Sequence, residues 1–186
     1  MPAQLPAWST VESELAARPK IAVVRLAVRA AARLVPVIVE GSSEYGPEAV
    51  EWAHATDAVV KLVEAFVRGE PVSRFTLDLG AEVARGTANA ASAIVRMLGH
   101  SRAAEDCELA FAAAAFAADA ARLSSPARIA TAGMQALRVV QSSGRVPDEL
   151  LLSDEDALWP DGAPAWFTEG RAALAGLPHF SFRAGG

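Results

Sequence analysis

The stretch EWAHATDAVVKLVEAFVR, Glu51 to Arg68, decides the fold class. Its charged and imidazole side chains, Glu51, His54, Asp57, Lys61, Glu64 and Arg68, recur at steps of three and four residues. That spacing draws one line along an α-helix. A second such line is Asp78, Glu82, Arg85, Asn89, Ser92 and Arg96. Off both lines the residues are mostly small or apolar, so these helices must bury most of their surface against one another. From Leu109 to Ala118 the chain reads LAFAAAAFAA and carries no polar side chain. A helix apolar all round is buried all round, which places Arg102–Arg122 at the centre. No segment alternates like a strand over a useful length. The expectation is an all-α fold.

Working outward, Ser9-x-x-Glu12 reads as a capping box opening a short helix that stops before Pro19. A second helix runs from Pro19 to about Glu40, kinked or cut at Pro36. Gly41 to Gly46 read as a loop. Pro47 opens the third helix, which ends at Gly69. Ser73 or Thr76 caps the fourth, which runs to about Leu98, with Gly80 and Gly86 inside it as expected points of close helix contact. Ser101 caps the fifth, and Ser125 with Pro126 opens a sixth that ends at Gly144. These six main helices form a bundle over residues 1–144. Residues 145–186 belong to the same domain as an extension wrapped on it. That extension is acidic and interrupted by prolines, yet it carries Trp159, Trp166, Phe167, Phe180 and Phe182, which a disordered tail rarely does. Short helices are expected near Ser153–Leu158 and Ala165–Ala175.

Composition bounds the function. At 186 residues and 52% hydrophobic, the chain can build one full core. A net charge of −5 argues against a nucleic-acid partner. Cys107 is the only cysteine, which excludes an intramolecular disulfide and a cysteine-rich zinc site. The opening residues show no signal peptide. The apolar segment Ile21–Val39 is interrupted by Arg25, Arg29 and Arg33, so no membrane span is expected. These features fit a cytoplasmic protein.

Few groups carry candidate chemistry. Glu51-x-x-His54 has the spacing of half a di-iron site, but no second such pair exists, and His54 on the polar line is expected toward solvent. Cys107 with His100 and Asp106 is not a nucleophile set, because His100 lies two helical turns away. There is no G-x-S-x-G, no dinucleotide fingerprint and no P-loop. No cofactor or metal site is expected, and catalysis is the least supported class. Arg25, Arg29 and Arg33 form a basic line that would hold a phosphate or a partner's carboxylates, or else stand as a solvated face. Asp154, Glu155 and Asp156 would receive a basic partner, or else begin a helix where acids suit the dipole. The C-terminal Gly185-Gly186 resembles tails read by activating enzymes, although two glycines also end many chains by chance.

An arginine- and alanine-rich first helix (Arg25 to Leu34) is followed by Ala49-Val50-Glu51-Trp52-Ala53, which runs to Phe66-Val67-Arg68-Gly69. A long alanine-rich hairpin, Ala81 to Ala121, comes next. This order resembles uncharacterised alanine-rich helical domains of bacterial paralogue families, including those of planctomycetes. The resemblance covers about half the chain. It implies an all-helical domain and a role in bacterial signalling or conflict systems, and it supplies no catalytic residue.

The expected function is a non-enzymatic protein-interaction module, an adaptor or inhibitor-like partner of another protein. One alternative is a small-molecule binder with an apolar pocket lined by Phe66, Phe75, Phe111 and Phe116. Another is a homo-oligomer built on an exposed apolar helix face.

Overall fold

Pro36 cuts the expected second helix in two. In the computed structural model, which describes residues 5–45, 48–99 and 101–176, Val35 and Pro36 form a turn between two helices. These are α2 (Lys20–Leu34) and α3 (Val37–Tyr45). The other helical segments are α1 (Trp8–Ala16), α4 (Glu48–Val67), α5 (Arg74–Leu98), α6 (Arg102–Arg122), α7 (Pro126–Ser142), the single turn α8 (Asp148–Leu151) and α9 (Ala165–Ala175). No strand occurs among the described residues, and none of their helices is long and apolar enough to cross a membrane.

Helix α6 packs against α2, α3, α4, α5 and α7. Its alanines Ala110, Ala113, Ala114, Ala117, Ala118, Ala120 and Ala121 are all buried. Alanine loses no side-chain entropy on ordering and keeps backbones close, so one helix can serve several neighbours. Phe111 is its bulky anchor. It meets Tyr45 of α3 and Trp52 of α4 edge-on, with ring centroids 6.3 Å away in both cases. Such pairs favour T-shaped contact because ring edges are positive and faces negative.

Local signals hold unevenly. The Ser73 hydroxyl accepts the Thr76 N–H, and the Ser101 hydroxyl accepts the Ala104 N–H, both at 3.1 Å, so these two caps form. The Ser9 capping box does not. Helix α1 starts earlier, where the Ala7 carbonyl accepts the N–H groups of Thr10 and Val11, and Trp8 is drawn in by packing on the core. Gly80 is a close approach, since a Cβ there would lie 2.9 Å from Leu62 Cδ2. Gly86 is exposed with open space around it and marks no helix contact. Instead Gly133 meets Val23, and Gly170 meets the Pro36 carbonyl, where an added Cβ would lie 2.6 Å from the oxygen.

Two expected local conformations are replaced. The region read as a loop continues α3 as far as Tyr45, whose buried hydroxyl donates to the Ala104 carbonyl at 2.6 Å. That anchor on α6 outweighs the poor helix propensity of Gly41 and the serines. The expected helix at Ser153–Leu158 is absent, and the short helix falls earlier, at α8. There the Ser153 hydroxyl accepts the Glu155 N–H at 3.3 Å, a local turn that competes with helix. Helix α9 matches its expected span and packs on α3. Pro47, His100, Phe180, Phe182 and the Gly185-Gly186 tail lie outside the described residues.

Candidate functional site: a charged seam along helix 4

The polar line on α4 does not face open solvent along its length. Asp57 is buried, and the Nε2 atom of His54 is buried with no hydrogen-bond partner. Two cavities lie in succession on this line. The first, of about 210 Å³, is lined by His54, Asp57, Ala58 and Lys61 of α4 and by Arg171, Leu174 and Ala175 of α9. The second, a cleft of about 450 Å³, is lined by Glu64, Val67 and Arg68 with Arg25, Val28 and Arg29 of α2 and Asp154 and Asp156 of the C-terminal segment. The periodicity that identifies the helix therefore also identifies the wall of the site.

Asp57 is the hub of the first cavity. Its Oδ1 accepts from Arg171 Nη1 at 2.6 Å, and its Oδ2 lies 2.7 Å from Lys61 Nζ. Arg171 also donates to the Ala32 carbonyl and lies over the Phe167 ring, so α9 is tied to α2 and α4 together. Two turns on from Asp57, burial raises the Glu64 carboxyl above its ordinary 4.5, while Arg171 and Arg68 pull it partly back.

Two arginines of the basic line on α2 are engaged within the fold. Arg29 donates to the carbonyls of Asp156 and Ala157 at 3.1 and 2.8 Å. Arg33 is fully buried and donates to the carbonyls of Leu158 and Leu150, both at 2.9 Å. Burial, with Arg29 adding its repulsion, lowers the Arg33 pKa to about 10, which leaves it charged at neutral pH. Three consecutive carbonyls that a helix would have used thus accept from two guanidinium groups, while Arg29 Nε and Arg33 Nη2 stay buried without a partner. This is why residues 153–158 are not helical. Only Arg25 of the line is exposed. Asp154, Glu155 and Asp156 are exposed as well, and Asp154 lies 3.6 Å from Arg18.

The structure thus brings together Arg25 and Arg29 with Asp154 and Asp156, and sets Arg33 apart as a buried strut. Glu155 does not line the cleft, which gains Glu64 and Arg68, two residues read from sequence only as parts of a helix face. The four phenylalanines proposed for an apolar pocket are dispersed. Phe111 is buried with Tyr45 and Trp52, Phe75 stands 71% exposed at the start of α5, and Phe66 lies under Lys20. Phe116 lines an outer groove of about 570 Å³ between α5 and α6, with Ala88, Leu109 and Ala112.

Other expected groups resolve simply. Cys107 is buried against Gly41 and the carbonyls of Val37 and Ile38. Asp106 turns away to Arg145, 2.7 Å from its Nε, while Glu40 takes Arg145 Nη2 at 2.8 Å. Burial opposes the Arg145 charge, but these two hydrogen-bonded carboxylates outweigh it and raise its pKa. Among the described residues no group of three or more His, Cys, Asp or Glu side chains is placed to hold a metal. No family model, curated protein or solved structure matches the chain.

Proposed function

We propose that this chain is a non-enzymatic protein-interaction module, an adaptor or inhibitor-like partner in a bacterial signalling or conflict system. Its contact surface on this reading is the cleft between α4, α2 and residues 154–156. The observation that supports it is the meeting of Arg25 with Asp154 and Asp156, distant in sequence, at the mouth of one open cleft with Glu64 and Arg68. Charges of both signs arranged on a rigid frame select a partner of complementary pattern, and they set orientation and encounter rate more than affinity. The fitting partner is a protein segment carrying acidic and basic side chains in turn.

The test is affinity capture with the wild-type chain and with a double variant, Arg25→Glu with Asp156→Arg. One stoichiometric partner is expected with the wild type and not with the variant, whose circular dichroism should be unchanged. A partner retained by the variant overturns the cleft as the contact. Recovery of the chain alone, with light scattering showing a dimer, would favour the self-assembly reading. The alanine-floored groove beside Phe116 is the face suited to that role.

A further inference from the structure

We infer that the cavity between α4 and α9 is a binding site for a small organic acid, one carrying a carboxylate and, a few atoms away, a second oxygen acceptor. The inference is independent of the interaction reading, which uses the neighbouring cleft. It rests on the composition of the walls. Among the residues that line it, Lys61 and Arg171 bring two positive charges to one carboxylate, Asp57, while Glu64, which also feels both cations, lines the neighbouring cleft. Asp57 is already held by a cation on each oxygen and does not repel an incoming anion as an isolated carboxylate would. Each cation keeps donors in reserve. A lysine ammonium has three and an arginine guanidinium five, and the described contacts of Lys61 and Arg171 use only some of them.

The far end of the cavity is His54, three residues before Asp57 and one turn down the same helix face. Its Nε2 has no partner in the structure. A turn of the ring about χ2, a soft torsion, presents that nitrogen to the cavity, where a ligand oxygen supplies the missing hydrogen bond. Beside Asp57, the remaining wall is apolar: Ala58 on α4, and Leu174 and Ala175 on α9. A cation pair, a short apolar wall and an imidazole lining one cavity match a short carbon chain with an acid group at one end and an acceptor at the other. An inorganic anion would satisfy the cations and leave both the wall and the histidine unused.

The test follows the His54 ring by NMR on the intact protein during titration with succinate, butyrate and inorganic phosphate. His54→Gln assigns its signal among the three histidines. Succinate is expected to shift the His54 ring saturably. Butyrate, lacking the second acceptor, and phosphate, lacking the carbon body, should each bind about tenfold more weakly or worse. Lys61→Gln, at an exposed position that tolerates change, should weaken succinate by a similar factor. Arg25→Glu, in the other cleft, should leave it unchanged. The inference is overturned if succinate leaves the His54 ring unmoved, if phosphate or butyrate matches succinate, or if Lys61→Gln binds like the wild type. It is also overturned if Arg25→Glu abolishes the response, which would locate the anion in the cleft.

Discussion

Helix α6 and the segment from Asp148 to Ala175 are held in place by opposite means. Helix α6 carries its information in what it lacks, since ten successive residues without a polar side chain are mostly buried, and only Leu109, Ala112 and Phe116 are partly open, on the outer groove. The C-terminal segment buries little backbone in regular structure before α9. It is fastened by Arg29 and Arg33 to carbonyls at Leu150, Asp156, Ala157 and Leu158, and by an edge-on cluster of Trp159, Trp166 and Phe167 with centroids 5.3–6.0 Å apart. The first region is specified by composition along a few turns. The second is specified by pairings across more than a hundred residues of chain. Damage should therefore spread differently from the two places.

Phe111→Ala gives the larger expected effect. Truncating a fully buried aromatic removes its contacts with Tyr45 and Trp52 and leaves a cavity at the centre, a loss of about 3–5 kcal/mol. Because α6 touches five other helices, the loss should be global, with urea midpoints falling together by circular dichroism and by tryptophan fluorescence. A loss under about 1 kcal/mol, or transitions that separate, would mean that α6 is not the common core.

Arg33→Met comes next. It keeps a side chain of similar length but strips two charge-assisted hydrogen bonds and the guanidinium beside Trp159, a loss of about 2 kcal/mol. Here the damage should stay local. Hydrogen exchange should speed up over residues 150–167 while α6 amides keep their protection. Loss of protection in α6 as well would erase the distinction between the two regions and make the C-terminal segment part of the core.

These contrasts explain what the chain discloses on inspection. The all-helical class, the centrality of α6, the Ser73 and Ser101 caps and the span of α9 follow from periodicity and cap chemistry, which act within a few residues. The Ser153–Leu158 helix was misplaced because the competing hydrogen bonds come from Arg29 and Arg33, far away in sequence, and no local pattern encodes them. The loop expected at Gly41–Gly46 gave way to Tyr45 reaching α6, again a distant partner. The candidate site was half legible. Arg25, Arg29, Asp154 and Asp156 were marked by charge, but only folding sets them in one cleft and separates Arg33 from them. Glu64 was missed because, in sequence, a carboxylate about to be buried looks like any other member of a polar helix face, and Arg171 because its partner Asp57 lies more than a hundred residues away. The one available clue was the line on α4 itself, since a stripe that must pass under α9 and α2 cannot be wholly solvated.

Glu64 gives the smallest expected effect, and it tests whether the seam belongs to the polar surface or to the packed interior. Burial raises its carboxyl pKa above the unfolded value near 4.5 despite Arg171 and Arg68 close by. A carboxyl with a raised folded-state pKa binds its proton more tightly in the folded protein. Stability from this group is therefore fully present below the unfolded pKa and is lost as pH rises through the folded value. At neutral pH the ionised Glu64 works against the fold. Glu64→Gln keeps the shape and the hydrogen-bonding capacity without the charge, so it should raise Tm slightly at pH 7, and the gain should shrink to nothing as the pH falls below the unfolded pKa. Thermal melts of both proteins across that range decide it. A variant that melts lower at pH 7 would mean that Arg68 and Arg171 more than repay the burial, and the seam would then be an ion-pair network that holds α9 and α2 to α4, with little electrostatic cost left for any partner to relieve.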